Sequence, residues 1–118
     1  MTILIADDFA PIRRSLRRML VPLPNVKRII EATNGIEASD LLKRLRPHVL
    51  ILDLQMPGKT GLELLQDPNL DLSNTTVIVL TNYSDEGHRQ QSEQLGADYF
   101  FDKTTEFEKI IDVLEELT

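Results

Sequence analysis

The chain has 118 residues, of which 42% are hydrophobic and 27% charged. That is the balance of one soluble globular domain with a single core. A formal net charge of −6 argues against unaided binding to DNA or to an anionic membrane. There is no cysteine, which excludes disulfides, thiol redox chemistry and thiolate metal sites. No apolar run reaches the roughly 20 residues of a bilayer span, and no leader-like segment opens the chain, so a cytoplasmic protein is expected.

Residues 2–7 read as a buried strand, a short apolar run rather than an alternation. Residues 10–21 read as a helix with Ile12, Leu16, Met19 and Leu20 on its apolar stripe. Asp8 is its candidate cap, Pro11 suits its first turn, and Pro22 and Pro24 stop it. A second strand is expected over 27–32. Thr33 or Asn34 then caps a helix running to about residue 45, with Ile36, Leu41, Leu42 and Leu45 facing inward and Pro47 closing it. Residues 48–53 form the most apolar strand. A turn-rich loop, 56–61, leads into a short helix ending near Leu65, and a fourth strand covers 76–81. Residues 84–95 read as a weak helix, polar nearly all round, with Gly87 inside it and Gly96 as its stop. A fifth strand covers 97–101. An amphipathic helix over 105–117 places Phe107, Ile110, Ile111, Leu114 and Leu117 on one side.

Strands alternating with helices at this spacing mean βαβ units, a parallel sheet and helices on both faces. No repeat, linker or second domain is visible, so residues 1–118 read as one domain. In such a sheet the carboxyl ends of the strands share one edge, and ligands bind outside it where the strand order reverses. The strands here end on Asp7-Asp8, on Asp53, on Thr81 and, one residue late, on Lys103. Three carboxylates, a hydroxyl and an ammonium are therefore expected in one crevice.

Two carboxylates about 4 Å apart repel by ~4 kcal/mol at an effective dielectric near 20, so the cluster needs compensation. Lys103 supplies one positive charge, and a hard divalent cation, Mg²⁺ above all, supplies two. The set suits phosphoryl transfer to a carboxylate nucleophile. Asp53 stands alone on the central strand and is the natural nucleophile. Asp7 and Asp8 more naturally hold metal, and Thr81 and Lys103 are placed to contact phosphoryl oxygens. Each residue has a plainer reading, Asp8 as a helix cap, Lys103 as a solvated charge and Thr81 as a loop starter. Four matching strand ends favour the site.

The order Asp7-Asp8, then LILDLQMPGKTGLELL, then VIVLT, then GADYFFDK resembles the receiver domain of two-component response regulators. The resemblance covers essentially the whole chain. It implies a flavodoxin-like five-stranded sheet of order 2-1-3-4-5. It implies that Asp53 accepts a phosphoryl group from a phosphohistidine donor, a histidine kinase or a phosphotransfer protein. Asp8, Asp53 and the backbone carbonyl of Gln55 would hold Mg²⁺, with Asp7 behind them. Thr81 and Lys103 would hold the phosphoryl group, and Thr81 and Phe100 would act as the switch. Three positions depart from the family's usual pattern. Thr104 replaces a proline, Asn82 replaces a small residue, and Phe100 replaces the commoner tyrosine.

Arg13, Arg14, Arg17 and Arg18 form a basic patch on the first helix, in pairs one turn apart. It reads either as a solvated face paired with nearby acids or as a docking face for the phosphodonor. His48 and His88 are not expected in the chemistry, and Gly58 and Gly61 lack the spacing of a phosphate-binding loop. The expected function is a phosphorylation-activated switch that modifies only itself, takes no small molecule beyond phosphodonors, and acts through a downstream protein or an output domain not in this chain. The alternative is a small Mg²⁺-dependent phosphatase or phosphotransferase with an aspartyl-phosphate intermediate. Gln55 stands where haloacid dehalogenase-type phosphatases place a second acid, which counts against it. The low burial of residues 84–95, together with the fifth strand and the last helix, marks the expected output surface.

Overall fold

A computed structural model describes residues 1–117. Five parallel strands alternate with five helices: β1 (Thr2–Ala6), α1 (Ala10–Leu20), β2 (Arg28–Ala32), α2 (Gly35–Leu45), β3 (Val49–Leu52), α3 (Gly61–Gln66), β4 (Thr76–Thr81), α4 (Glu86–Gln94), β5 (Tyr99–Asp102) and α5 (Lys109–Glu116). The strand order is β2-β1-β3-β4-β5, the flavodoxin-like arrangement expected. No helix among the described residues is long and apolar enough to cross a membrane.

The inner strands are apolar on every residue because both faces are covered. Ile3, Ile5, Val49, Ile51, Ile78 and Leu80 point to one side, where Leu16 and Leu20 of α1 and Ile110, Val113 and Leu114 of α5 pack on them. Leu4, Ala6, Leu50, Leu52, Val77 and Val79 point to the other, against Ala38 and Leu42 of α2 and Leu64 of α3. This alternation within continuous apolar runs fixes the register, since a one-residue slip exchanges the two faces. The pairings Ala6 with Leu52 and Leu52 with Val79 hold the strand ends level. Backbone bonds then carry the alignment past the strands: Asp53 N–H donates to the Ala6 carbonyl and Lys103 N–H to the Thr81 carbonyl, each at 3.0 Å.

Two glycines let other segments press on this edge. A Cβ on Gly35 would lie 1.7 Å from the Lys59 carbonyl oxygen, and one on Gly61 2.6 Å from that of Asp53. The first turn of α2 therefore rests directly on the β3–α3 loop, and α3 starts against the end of β3.

Most elements match the sequence reading to within a residue or two, the ordinary scatter of element ends, but four details differ. Asp8 does not cap α1. Phe9 is the N-cap and no side chain bonds there; Pro11 has no N–H, and the Ile12 N–H already donates to the Phe9 carbonyl at 3.1 Å, so little remains for a cap to satisfy. Ile36 is not inward: it is 66% exposed, because Ala38, Ser39 and Leu42 form the buried side of α2. Helix α4 is trimmed to nine residues capped by Asp85, so Gly87 lies in its first turn, where its cost is small. Helix α5 begins at Lys109 rather than 105. The preceding residues are held in turns, with the Asp102 carboxylate accepting the N–H groups of Thr104 and Thr105, and i to i+3 backbone bonds lead into the helix.

Candidate functional site

The carboxyl edge of the sheet opens into a cavity of about 440 Å³. Asp8, Asp53 and Lys103 line it, with Gln55, Asn82 and Thr104 at the rim and Phe9, Ile12 and Tyr83 as apolar walls. A larger open groove of about 670 Å³ runs along the β5–α5 turn, but it holds none of Asp53, Thr81 and Lys103.

Asp7, Asp8 and Asp53 each offer a carboxylate oxygen within 4.8 Å of the others. Asp7 and Asp53 are buried while Asp8 is exposed. The Lys103 ammonium sits between the two buried acids, 2.7 Å from Asp7 Oδ2 and 2.8 Å from Asp53 Oδ2. Asp53 Oδ1 accepts the Gln55 N–H at 3.2 Å, and Asp7 Oδ1 accepts the Phe9 N–H at 2.9 Å. Burial pushes the Asp7 carboxyl above its usual value, against the pull of Lys103 and the Phe9 N–H. Burial works to lower Lys103 as well, but the hydrogen bonds and charges of Asp53 and Asp7 outweigh it and raise its pKa. Burial thus accounts for the rise at Asp7 and the two carboxylates for the rise at Lys103, and one ammonium shared among three acids leaves excess negative charge there. Oxygen donors with uncompensated charge and an open side fit a hard divalent cation.

Thr81 is fully buried and its Oγ accepts the Tyr83 N–H at 3.1 Å, so it lies beneath the β4–α4 loop rather than facing the cavity. Phe100 is buried on β5 with the Arg89 guanidinium 4.7 Å above its ring. The basic patch divides. Arg13 and Arg17 both pair with Glu31 of β2, at 3.0 and 2.7 Å, and Arg13 also donates to the Asp7 carbonyl at 2.9 Å. Arg14 and Arg18 are exposed and have no ion pair among the described residues. His48 Nδ1 accepts the Thr2 N–H at the opposite edge of the sheet. His88 contacts Asp85 and the Tyr83 ring, outside the cavity. The sequence reading passed over Phe9, Tyr83 and Arg89. Phe9 follows the acid pair on the first loop and Tyr83 is two residues past Thr81, so strand-end logic extended by two residues would have found both. Arg89 stands in a polar helix with no signal to single it out.

A profile of the response regulator receiver domain matches residues 3–115. The chain is 32% identical to sporulation initiation phosphotransferase F of Bacillus subtilis over 97% of its own length and 90% of that protein. It is also 32% identical to the uncharacterized transcriptional regulatory protein YhcZ of B. subtilis, of which it spans 52%. It spans only 26% of a protein-glutamate methylesterase of Treponema pallidum. Among solved structures, the receiver domain of AraT, a response regulator from Geobacillus stearothermophilus, superposes with a TM-score of 0.82 at 32% identity, over 98% of this chain and 91% of that one. The response regulator domain of Thermotoga maritima CheB does so with a TM-score of 0.82 at 27% identity, over 99% and 92%. The chain belongs to the response regulator receiver domain family.

Proposed function

We propose that this chain is a phosphorylation-dependent signalling switch in which Asp53 takes a phosphoryl group from a phosphohistidine. The observation that carries this is the buried Asp53 carboxylate lining an open cavity, with an ammonium 2.8 Å from one of its oxygens. In the transfer, an Asp53 carboxylate oxygen attacks phosphorus, the P–N bond breaks, and the electron pair leaves with the imidazole. Asp8, Asp53 and the Gln55 carbonyl would hold Mg²⁺, with Asp7 supporting the set from behind through Lys103. When bound, the metal supplies neutralisation of charge on the phosphoryl oxygens. Lys103 moves part of its bonding from the carboxylates to a phosphoryl oxygen. Thr81 gives up its contact with the Tyr83 N–H and donates a hydrogen bond from its hydroxyl to another oxygen, drawing the β4–α4 loop inward. Phe100 and α4 respond, and the α4–β5–α5 side then meets a protein partner or a linked output domain differently. A phosphohistidine-bearing kinase or phosphotransfer protein approaches over α1, where Arg14 and Arg18 remain free to meet acidic side chains. Such a chain works in the cytoplasm and is not a turnover enzyme.

The test is incubation with acetyl phosphate and Mg²⁺, followed by intact-mass spectrometry. One phosphate per chain, lost slowly and dependent on Mg²⁺, is expected. Rapid multiple turnover of a phosphomonoester would instead establish the phosphatase reading.

A further inference from the structure

We infer that Asp102 is a positioning residue for Lys103, and that Ser84 fastens the Thr81 loop to the same carboxylate, so the two loops beside Asp53 move as one unit. The inference rests on Asp53 being the phosphoacceptor.

Lys103 carries its ammonium on a flexible four-carbon stem, so its placement depends on where its backbone is held. Upstream, its N–H donates to the Thr81 carbonyl. Downstream stands Thr104, so no proline ring sets the shape of this turn. The Asp102 side chain does it instead. Its Oδ1 accepts the N–H groups of Thr104 and Thr105 at 2.7 and 2.9 Å. The Asp102 N–H donates to the Glu106 carboxylate at 3.1 Å, and the Glu106 N–H returns to the Asp102 carbonyl at 3.0 Å. Residues 102–106 thus close on themselves around Lys103. Thr104 supplies one of these N–H donors, which a proline in its place would lack.

The other carboxylate oxygen, Oδ2, accepts the Ser84 hydroxyl at 2.5 Å. Ser84 is three residues past Thr81 on the β4–α4 loop. Three donors on one carboxylate lower the Asp102 pKa to about 2, the Ser84 hydroxyl contributing most, so this support stays ionised at neutral pH. Arg89 extends the bridge from α4, donating to the Phe100 carbonyl at 3.4 Å and facing Glu106 at 4.0 Å. When Thr81 moves toward a phosphoryl group, Ser84 pulls on the residue that shapes the Lys103 turn. Neither Asp102 nor Ser84 lines the cavity or belongs to the acid cluster, so both act through other residues.

The experiment uses the 118-residue chain with Asp102→Ala, Asp102→Asn and Ser84→Ala, checked for folding by circular dichroism. In Asp102→Ala, amide exchange at 104 and 105 should accelerate at least roughly tenfold. Phosphorylation by acetyl phosphate at saturating Mg²⁺ should slow about tenfold, as expected for a misplaced catalytic group. The half-saturating Mg²⁺ concentration should stay within about twofold, since Asp102 touches none of the clustered carboxylates. Asp102→Asn keeps a carbonyl for the Thr104 and Thr105 N–H groups and should recover most of the rate. Beryllofluoride, a phosphoryl mimic, should change exchange at 104 and 105 in the wild type but not in Ser84→Ala. Phosphorylation of Asp102→Ala within about twofold of wild type, or an unaltered beryllofluoride response in Ser84→Ala, overturns the inference. A wild-type chain that takes phosphate elsewhere than Asp53 sinks the function with it; one phosphorylated on Asp53 but indifferent to Asp102→Ala sinks this inference alone.

Discussion

Replacing Lys103 with methionine removes the ammonium that pairs with Asp7 and Asp53 in the cluster of three acids while keeping much of the stem's volume. At the observed 2.7 and 2.8 Å, each lost ion pair is worth about 6 kcal/mol of gross Coulomb energy at an effective dielectric of 20. The desolvation cost of Lys103 is recovered in the variant, so the net is much smaller. Stripping one partner from a buried pair costs about 3–5 kcal/mol, and the side chains here are only 8%, 3% and 6% exposed. Lys103→Met should therefore lose about 3–5 kcal/mol of unfolding free energy at pH 7 in chelator, a large share of the ~5–15 kcal/mol of a typical domain. The sign with pH follows from the acids left behind. Burial already raises the Asp7 carboxyl above its usual value against the pull of Lys103; without that pull its folded-state pKa stays above the unfolded one, so the variant's stability is fullest at acid pH and is lost as pH rises through the Asp7 value. The deficit should shrink toward pH 4, and millimolar Mg²⁺ should offset part of it at pH 7 by binding the folded state. Urea unfolding followed by circular dichroism, with and without Mg²⁺, measures all three. A variant within about 0.5 kcal/mol of wild type at pH 7 in chelator would refute the charge arrangement, because changes that small are typical of exposed surface sites.

Ser92 is fully buried in α4 and its hydroxyl has no hydrogen-bond partner among the described residues, so Ser92→Ala should raise stability by about 1 kcal/mol in the same unfolding assay. Glu31 is desolvated, which raises its pKa, but hydrogen bonds from Arg17 and Arg13 outweigh that and hold it below the usual value. Its contribution is therefore present above the unfolded pKa and lost as pH falls through the folded one; Glu31→Gln should cost about 0.5–1 kcal/mol at pH 7 and nothing measurable near pH 3. Amides of α4 should exchange faster than those of α5, because α4 buries only Ser92 whereas α5 buries Ile110, Val113 and Leu114. Beryllofluoride should slow them, and equal protection of the two helices in the free protein would remove α4 as the moving element.

The sheet was legible because Val49 to Leu52 and Val77 to Leu80 are short runs, apolar at every position and rich in β-branched residues, as a strand covered on both faces requires. The crevice followed from chain order alone, since parallel strands bring Asp7, Asp8, Asp53 and Lys103 to one edge whatever the helices do. Helix details were less legible. Ile36 looked inward because it is apolar, but α2 turns its smaller residues, Ala38 and Ser39, to the sheet. The start of α5 was hidden because Asp102, just past the expected fifth strand, spends its carboxylate on the N–H groups of the next turn. The Arg13 and Arg17 pairs with Glu31 join α1 to β2, a contact that no local pattern encodes. Networks of this kind, like Arg89 on Phe100, depend on which helix covers which strand.

The most direct test is to find which residue carries the phosphate. The chain is phosphorylated with acetyl phosphate and Mg²⁺, reduced with borohydride to convert an aspartyl phosphate to homoserine, digested and sequenced by mass spectrometry. The account predicts homoserine at position 53 alone, and no conversion in Asp53→Asn. Conversion at Asp7 or Asp8, or phosphate retained on a serine, threonine or histidine of the Asp53→Asn chain, would contradict it.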